Sequence, residues 1–398
     1  MSRSLKVVIV GGGLGGLTAA AALAQSGVEV EVREQADRLG EVGAGVQMSP
    51  NAVKVLRALG LEPALKLVAF EPEAFVGRNW SSGRVLYRTP LKSQYDRIYG
   101  AGYYHVHRAD LHELLLRGVP ATAIHLGSRC VSTNQRGSVA VAEFADGTSV
   151  EADIVIGADG IHSAVRSSLF GPAQARFTGN MCWRGLVPIG ALPSGLVEPM
   201  ATNWLGPNGH VVHYLVRGGT FVNFVAVYET DAWTEESWSI KADRSELLST
   251  YGSWNERLLK VFAAAEHCFK WALYDRDPPE RWSKGRAALL GDSAHAMLPY
   301  LGQGAAMAIE DGCVLAGAIA RSPDDLDAAL AAYESLRKPR AREAVLGSRA
   351  RARDNHLTSP LARLRRDLRY AWRKRFGGDQ TVFQAGRLYD YDAGRELA

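Results

Sequence analysis

Three short stretches of the sequence combine glycine with an acidic residue, a composition typical of nucleotide sites. Residues 11–16 read G-x-G-x-x-G, and Glu34 ends the apolar run that follows them. The other two stretches are "GADG" at 157–160 and "GDSAHAMLPYLGQG" at 291–304. Glycine lets a backbone approach phosphates closely, and a carboxylate accepts hydrogen bonds from ribose hydroxyls. These residue types indicate a nucleotide site assembled from distant parts of the chain.

The first stretch lies between two predicted strands, "KVVIV" at 6–10 and "VEVEVREQ" at 28–35, with an alanine-rich helix between them. This βαβ order makes the glycine pattern specific for a dinucleotide. We expect Gly11 to allow the tight turn, Gly13 to admit the pyrophosphate and Gly16 to let helix and strand pack closely. Glu34 disfavours a 2′-phosphate, so FAD or NAD is expected rather than NADP. The fingerprint occurs once, which argues against a reductase with two dinucleotide sites.

The two later acids follow predicted strands. Asp159 comes after the strand at 154–156, and Asp292 comes after the strand at 287–290. Ligands of open α/β sheets bind at the carboxyl ends of the strands, so both acids are expected beside the nucleotide. Each could instead cap the helix that follows it.

A change of character between residues 176 and 270 predicts an antiparallel sheet that supplies a substrate pocket. "GHVVHYLV" and "FVNFVAVYE" form a predicted hairpin that turns at 217–220. Alternation along the first strand puts His210 and Tyr214 on one face, two pleats apart, where they could hold an aromatic ring. The alternative is that His210 is an ordinary buried histidine.

Composition limits the class of protein. The 398 residues, 47% hydrophobic and 22% charged, are typical of a globular chain with more than one core. Four cysteines without metal-ligand spacing indicate reduced thiols and a cytoplasmic protein with no metal. Glycines interrupt the apolar N-terminus, so we interpret residues 1–34 as part of the fold rather than as a signal peptide. No other apolar run has the length that we expect of a membrane-spanning helix.

Residues 337–375 carry fourteen Lys and Arg against three acids, interleaved with apolar residues at helical spacing. We interpret them as a solvated amphipathic helix or a subunit contact, with a homodimer possible and no nucleic acid bound.

Six segments together resemble the FAD-dependent aromatic hydroxylases, the group A flavoprotein monooxygenases, in the branch of salicylate hydroxylase and 3-hydroxybenzoate 6-hydroxylase. They are "GGGLGG", "GAGVQMSPNA", "HRADLH", "GADGIHSAVR", residues 274–312 and "LYDYD". The resemblance implies an α/β fold with a Rossmann-like FAD domain, an inserted antiparallel substrate sheet and a helical C-terminal segment. The implied FAD domain comprises residues 1–75, 100–175 and 271–335. The substrate domain comprises residues 76–99 and 176–270, and the C-terminal segment comprises residues 336–398.

The same resemblance assigns site residues. Glu34 is expected at the adenosine ribose, Arg108 at the pyrophosphate or ribose, Asp292 at the ribityl chain and Pro299 near the isoalloxazine ring. Asp159 is expected to serve both FAD and the nicotinamide. The full predicted cofactor set is Gly11, Gly13, Leu14, Gly15, Gly16, Glu34, Arg108, Asp159, Gly160, Gly291, Asp292, Pro299, Gly302, Gln303, Gly304 and Ala305. The predicted substrate pocket is Gln47, His210, Tyr214 and Pro299, with His210 and Tyr214 as catalytic candidates.

The implied activity is hydroxylation of a small phenolic acid, with NADH or NADPH and O₂ consumed and a flavin C4a-hydroperoxide as the oxygen donor. Pro299 departs from the 3-hydroxybenzoate 6-hydroxylases, where a glutamine is expected, and Gln47 departs from the 6-hydroxynicotinate 3-monooxygenases, where a histidine is expected. A hydroxypyridine carboxylate therefore stays open as the substrate. A flavin epoxidase or reductase, and a nucleotide-sensing protein without turnover, are further alternatives.

Overall fold

A computed structural model describes residues 5–40, 44–172, 175–230, 240–376 and 386–397, except for the side chains of residues 240, 241 and 374–376. Within these ranges, a six-stranded sheet forms the first layer. Its order is β18-β19-β11-β1-β2-β7, and every pair is parallel except β18 with β19. The strands are β1 (Lys6–Val10), β2 (Glu29–Arg33), β7 (Ile124–His125), β11 (Ile154–Gly157), β18 (Ser283–Lys284) and β19 (Ala287–Leu289).

This sheet places the carboxyl ends of β1, β11 and β19 side by side. β1 is almost entirely buried, as its β-branched sequence predicts. Each of the three predicted acid–glycine stretches follows one of these neighbouring strands. The Rossmann-like fold predicted for the FAD-binding domain is therefore confirmed.

The second layer is an eight-stranded sheet of order β16-β17-β12-β15-β14-β13-β4-β5. Its strands are β4 (Ala74–Asn79), β5 (Val85–Pro90), β12 (Arg176–Pro188), β13 (Ala201–Gly206), β14 (Gly209–Val216), β15 (Phe221–Glu229), β16 (Ile240–Ala242) and β17 (Cys268–Asp275). The predicted hairpin is present, because β14 pairs antiparallel with β15.

The predicted antiparallel sheet is present, with one pair that the sequence did not indicate, since β13 runs parallel to β4. These two strands are far apart in the chain and no hairpin joins them, so nothing local sets their relative direction. The sheet also extends from Ala74 to Asp275, slightly beyond both limits predicted for the substrate domain. The three-domain division stays a proposal, and the ends of this sheet are its natural boundaries.

Two smaller sheets and thirteen helices complete the described part of the chain. The remaining strands are β3 (Gly45–Met48) paired with β6 (Tyr104–His107), and β8 (Cys130–Arg136), β9 (Val139–Phe144) and β10 (Ser149–Ala152) in an antiparallel meander. The helices are α1 (Leu14–Gln25), α2 (Pro50–Ala58), α3 (Glu62–Val68), α4 (Gln94–Tyr99), α5 (Arg108–Leu116), α6 (Ala164–Phe170), α7 (Arg244–Thr250), α8 (Glu256–Ala263), α9 (Asp292–His295), α10 (Gly304–Arg321), α11 (Leu326–Asn355), α12 (Pro360–Phe376) and α13 (Gly386–Asp390). None of them is long and apolar enough to cross a membrane.

Buried ion pairs attach α11 to α10. Arg337 is fully buried and bonds the carboxylates of Glu310 and Asp311, the latter at 2.7 Å from its Nε. Asp311 also contacts His295. Because a buried charge is costly without a partner, this network fixes how the two helices pack.

The interpretation of residues 337–375 as a solvated amphipathic helix is therefore wrong at Arg337, whereas Arg342 and Arg353 of α11 are exposed. The carboxylates that pair with Arg337 belong to α10. The spacing of basic residues within α11 therefore could not indicate that Arg337 is buried. α12 does expose an apolar row, at Leu361, Leu364, Leu368 and Trp372. A homodimer through this segment stays a prediction.

Candidate functional site

A cavity of about 920 Å³ is lined by residues from both large sheets and from α11. It extends from the carboxyl ends of β1, β11 and β19 to one face of β14. With one exception, every site residue predicted from the sequence lines this cavity. The three distant stretches therefore converge on one space.

The glycines of the first stretch differ in what surrounds them. Gly11 has a φ of +107°, and a Cβ added there would lie 2.4 Å from the carbonyl oxygen of Ala158. A Cβ at Gly16 would lie 2.1 Å from the oxygen of Gly11, so this position needs glycine for packing. At Gly13, which precedes α1, an added Cβ meets no atom within 4 Å. The α1 N-terminus thus opens onto the cavity with room for an anionic group beside it.

Two of the predicted acids, Glu34 and Asp159, accept hydrogen bonds from backbone N–H groups of the protein. Glu34 accepts hydrogen bonds from the N–H of Gly12 at 2.7 Å and of Ala36 at 2.9 Å. Asp159 accepts hydrogen bonds from the hydroxyl of Ser163 and the N–H of Ala164, at the start of α6. Asp159 therefore does cap a helix, the alternative raised by the sequence, and it also lines the cavity. Burial raises the pKa of its carboxyl group.

The third stretch forms a sharp turn followed by α9, a short 3-10 turn at Pro299–Leu301, and α10. Gly291 has a φ of +61°, and Asp292 is exposed to the cavity beside it. Gly302, Gly304 and Ala305 line the same wall at the start of α10.

Gln303 is the exception among the predicted residues, since it does not line the cavity. Its side chain is buried, donates to Ser49 Oγ at 2.9 Å and accepts from Asn51 Nδ2 at 3.1 Å. This side-chain amide fastens the loop before α10 to the start of α2. The prediction for Gln303 concerns the backbone N–H groups at the start of α10, and it stays a prediction.

The cavity has a second end, away from the three acid–glycine stretches. The face of β14 that carries His210 and Tyr214 forms its floor there. His210, Val212 and Tyr214 line it. His213, on the opposite face, is buried against the Trp204 ring. The alternation predicted for this strand is therefore confirmed. Gln47 and Pro299 line the same space.

His210 is held by a second histidine that sequence reasoning missed. Its Nδ1 lies 2.7 Å from Nε2 of His356, and Nδ1 of His356 lies 3.5 Å from a carboxylate oxygen of Glu229. Burial, with His356 and Arg351 nearby, lowers the pKa of His210 well below its ordinary value. The imidazole is therefore neutral at physiological pH and can accept a hydrogen bond through its unprotonated ring nitrogen.

Tyr214 differs from His210 in its protonation chemistry. It is buried beside the ring of His105, with the ring centroids 4.4 Å apart. Burial raises the pKa of its phenol group, so Tyr214 keeps its proton at physiological pH and can donate a hydrogen bond as well as accept one. Of the two catalytic candidates, only His210 offers an unprotonated ring nitrogen as an acceptor for a substrate hydroxyl group.

Further polar residues line the cavity and were not predicted. They include Asn203, Arg184, Cys182, Arg351 and Asn355. Arg184 lies over the ring of Trp271, with 5.7 Å between guanidinium carbon and ring centroid. Alternation along β12 and β13 could have indicated Arg184 and Asn203. No pattern in the sequence distinguishes Arg351 from its neighbours on α11.

The cavity suits the FAD that the resemblance implies. One end offers the α1 N-terminus and the open space at Gly13 for a pyrophosphate. The Glu34 and Asp292 carboxylates provide acceptors for hydroxyl groups, while Arg108, at the start of α5, supplies a positive charge. The start of α10 offers a helix N-terminus to the ring end, which favours negative charge there.

Comparison with known proteins agrees with this geometry. The model of the family described as FAD binding domain matches residues 4–348. The chain is 41% identical to 3-amino-4-hydroxybenzoate 2-monooxygenase PtnB3 of Streptomyces platensis, over 97% of this chain and 94% of the relative. It is 36% identical to 6-hydroxynicotinate 3-monooxygenase of Pseudomonas fluorescens, over 86% and 89% of the two chains. It is 35% identical to 3-hydroxybenzoate 6-hydroxylase of Polaromonas naphthalenivorans, over 99% and 98%.

Solved structures with the same fold include two ligand complexes. HpxO of Klebsiella pneumoniae, complexed with FAD and uric acid, superposes with a TM-score of 0.83 at 28% identity, over 99% of this chain and 97% of that one. A salicylate hydroxylase substrate complex also superposes with a TM-score of 0.83, at 27% identity over 100% and 98% of the two chains.

Proposed function

The chain belongs to the FAD binding domain family and is an FAD-dependent monooxygenase of aromatic compounds, and from this premise we propose that its own substrate is a small aromatic carboxylate with a hydroxyl or amino group on the ring. The relatives named above act on aminohydroxybenzoate, hydroxybenzoate and hydroxynicotinate. Aminohydroxybenzoates and hydroxybenzoates are the substrates we favour, because the chain is 41% identical to the 3-amino-4-hydroxybenzoate enzyme and 36% identical to the 6-hydroxynicotinate enzyme.

The observation that carries the proposal is the pairing of His210 with Tyr214 on the cavity face of β14. The two side chains lie on either side of Val212, which is apolar. An aromatic ring placed over Val212 would meet the acceptor His210 at one end and the donor Tyr214 at the other. The pocket therefore suits a small ring with polar substituents better than the long apolar substrate of an epoxidase or a lipid reductase.

His210 accepts the proton or hydrogen bond of the ring substituent in this proposal. With a proton on Nδ1, His210 donates to Nε2 of His356, and His356 in turn points its own Nδ1 proton toward Glu229. This arrangement leaves Nε2 of His210 as the acceptor. Removing a phenol proton sends electron density to the ortho and para carbons, and a positioned base contributes about 10²–10⁴-fold to rate.

When bound here, FAD would supply the redox and O₂ chemistry of the hydroxylation, with NADH or NADPH as the reductant. The residues that would hold it are those of the α1 N-terminus, Glu34, Arg108, Asp292 and the start of α10. Tyr300 and Trp271 line the cavity, where their large side chains help to exclude water. Asp159 supports the turn after β11 by capping α6.

The experiment that tests this proposal measures oxidation of NADH and of NADPH by the FAD-loaded protein with 3-amino-4-hydroxybenzoate, 3-hydroxybenzoate, salicylate and 6-hydroxynicotinate. At least one benzoate is expected to accelerate oxidation and to yield a product with one added oxygen atom. Acceleration only by 6-hydroxynicotinate would favour the hydroxypyridine alternative. No acceleration by any of the four acids would contradict the proposal.

A further inference from the structure

One face of α11 lines the cavity beside the floor formed by β14. Six residues of this helix line the cavity: Glu343, Gly347, Ala350, Arg351, Asp354 and Asn355. Their spacing, with intervals of three, four, seven and eight positions, places them on one side of the helix. Arg351 is the only one of these six that carries a positive charge.

Arg351 differs from other arginines of α11 in its partners. Arg337 bonds Glu310 and Asp311, and Arg349 bonds Asp275 through Nε at 2.6 Å. Among the described residues, the guanidinium of Arg351 makes one hydrogen bond, to the hydroxyl of Tyr87 at 3.4 Å, and no ion pair.

The carboxylate closest to Arg351 along the helix, that of Asp354, pairs with Arg369 at 3.5 Å and is half-exposed. Arg351 itself is partly buried. A guanidinium in such surroundings has donors left over and a desolvation cost that an anion in the cavity would offset.

The register of the second sheet locates Arg351 relative to the floor. Four residues on neighbouring strands pair in sequence across the sheet: Tyr87 on β5, Gly77 on β4, Asn203 on β13 and Val212 on β14. They therefore form one row on the cavity face. A Cβ at Gly77 would lie 2.0 Å from the Tyr87 ring, so the ring extends across this glycine toward Asn203. The Tyr87 hydroxyl, and with it Arg351, therefore lies at the edge of the floor beside Asn203.

Val212 is one strand away from Asn203, about 4.8 Å at the usual spacing. A ring over Val212 would thus present one substituent toward Arg351 while the others meet His210 and Tyr214. The other arginine of the floor, Arg184, is in the same row but three strands from Asn203, where it packs on Trp271.

We propose that Arg351 anchors the carboxylate of the aromatic substrate, holding the ring over Val212 so that its hydroxyl or amino group reaches His210. This inference rests on the proposed function and adds the residue that selects an acid over a neutral aromatic compound. A guanidinium fork matches both oxygens of a carboxylate, which fixes the orientation of the ring as well as its position.

The test compares each accepted acid with its primary carboxamide, which keeps the shape and removes the charge. Binding to the FAD-loaded protein is read from the change in the flavin absorption spectrum, and kcat and KM are read from substrate-dependent NADH or NADPH oxidation. The variants are Arg351→Met and Arg351→Lys. Arg353→Met is the matched control, because Arg353 is exposed on the same helix and does not line the cavity.

Arg351→Met is expected to weaken binding of the acid about 10- to 100-fold, mainly through KM, while binding of the carboxamide changes little. Arg351→Lys should recover part of the preference for the acid, since a lysine keeps the charge without the fork. Arg353→Met should behave as the wild type. The ratio of acid to carboxamide affinity is the deciding quantity, because a merely structural role of Arg351 would weaken both ligands alike.

Equal loss of acid and carboxamide binding in Arg351→Met, or an unchanged ratio, would overturn the inference. If the methionine variant loses its flavin, the same ratio measured in Arg351→Lys decides, and an unchanged ratio there overturns it. Turnover of an acid by the wild type together with an unchanged ratio would refute the anchor and leave the proposed function standing. Failure of every acid to bind the wild type would refute both.

Discussion

Replacing Gly13 by alanine should separate folding from cofactor binding. The backbone at Gly13 has φ −73° and ψ −178°, which any L-residue adopts, and the added Cβ meets no protein atom within 4 Å. The apoprotein should therefore keep its stability or gain about 0.4–1 kcal/mol, because alanine restricts the unfolded chain more than glycine does.

The same methyl group occupies the space at the α1 N-terminus where a pyrophosphate must approach the backbone. We expect the Kd for FAD to rise at least about tenfold, which corresponds to about 1.4 kcal/mol. At a fixed excess of FAD, the stabilisation of the protein by the cofactor should fall by the same amount.

The assay is a fluorescence titration of apoprotein with FAD, combined with denaturant unfolding of apo and FAD-saturated protein. Gly16→Ala is the contrasting variant, since its Cβ would lie 2.1 Å from the oxygen of Gly11 and should destabilise even the apoprotein. Wild-type FAD affinity in a stably folded Gly13→Ala protein would refute the reasoning, because the dinucleotide would then not lie against the start of α1.

Further predictions concern catalysis, stability and acid sensitivity. His210→Asn should lower kcat about 10²–10⁴-fold at unchanged flavin content, and wild-type turnover would remove it from the mechanism. Arg337→Met removes the guanidinium shared by two buried carboxylates, leaving Glu310 only Arg340 and Asp311 only His295 as ionic partners, and should cost up to about 3–5 kcal/mol in denaturant unfolding. Exposed Arg353→Met should cost less than about 0.5 kcal/mol, and similar losses in the two variants would contradict the network. Burial lowers the pKa of His105 and of His213 to about 3, so only the unfolded chain takes up protons at these residues as the pH falls through 6.5. Together, these two histidines should lower the free energy of unfolding by about 2.5 kcal/mol between pH 7 and pH 5.5. A free energy of unfolding that does not change over this pH range would contradict their burial as neutral rings.

The parts of the site that could be predicted from sequence are those with local signals. A glycine or an acid directly after a buried strand is recognisable without knowing the rest of the fold, as at Gly11, Asp159 and Asp292. Alternation along β14 likewise assigns His210 and Tyr214 to one face, because strand geometry alone determines which side chains face alike.

The residues that escaped prediction depend on contacts between distant elements. Arg337, Arg351 and Arg353 look equivalent in the basic C-terminal segment, yet one is buried against α10, one lines the cavity and one is exposed. His356 acquires its place beside His210 only when the end of α11 packs against β14.

The most direct test of the central claim follows the oxygen atoms. The FAD-loaded protein is supplied with NADH or NADPH, the aromatic acid that accelerates its oxidation, and ¹⁸O₂ in ordinary water, and the product is analysed by mass spectrometry. The account predicts one ¹⁸O atom on the ring of each product molecule, and none when the label is in the water instead. Nicotinamide oxidation that yields only hydrogen peroxide and an unlabelled acid would contradict it.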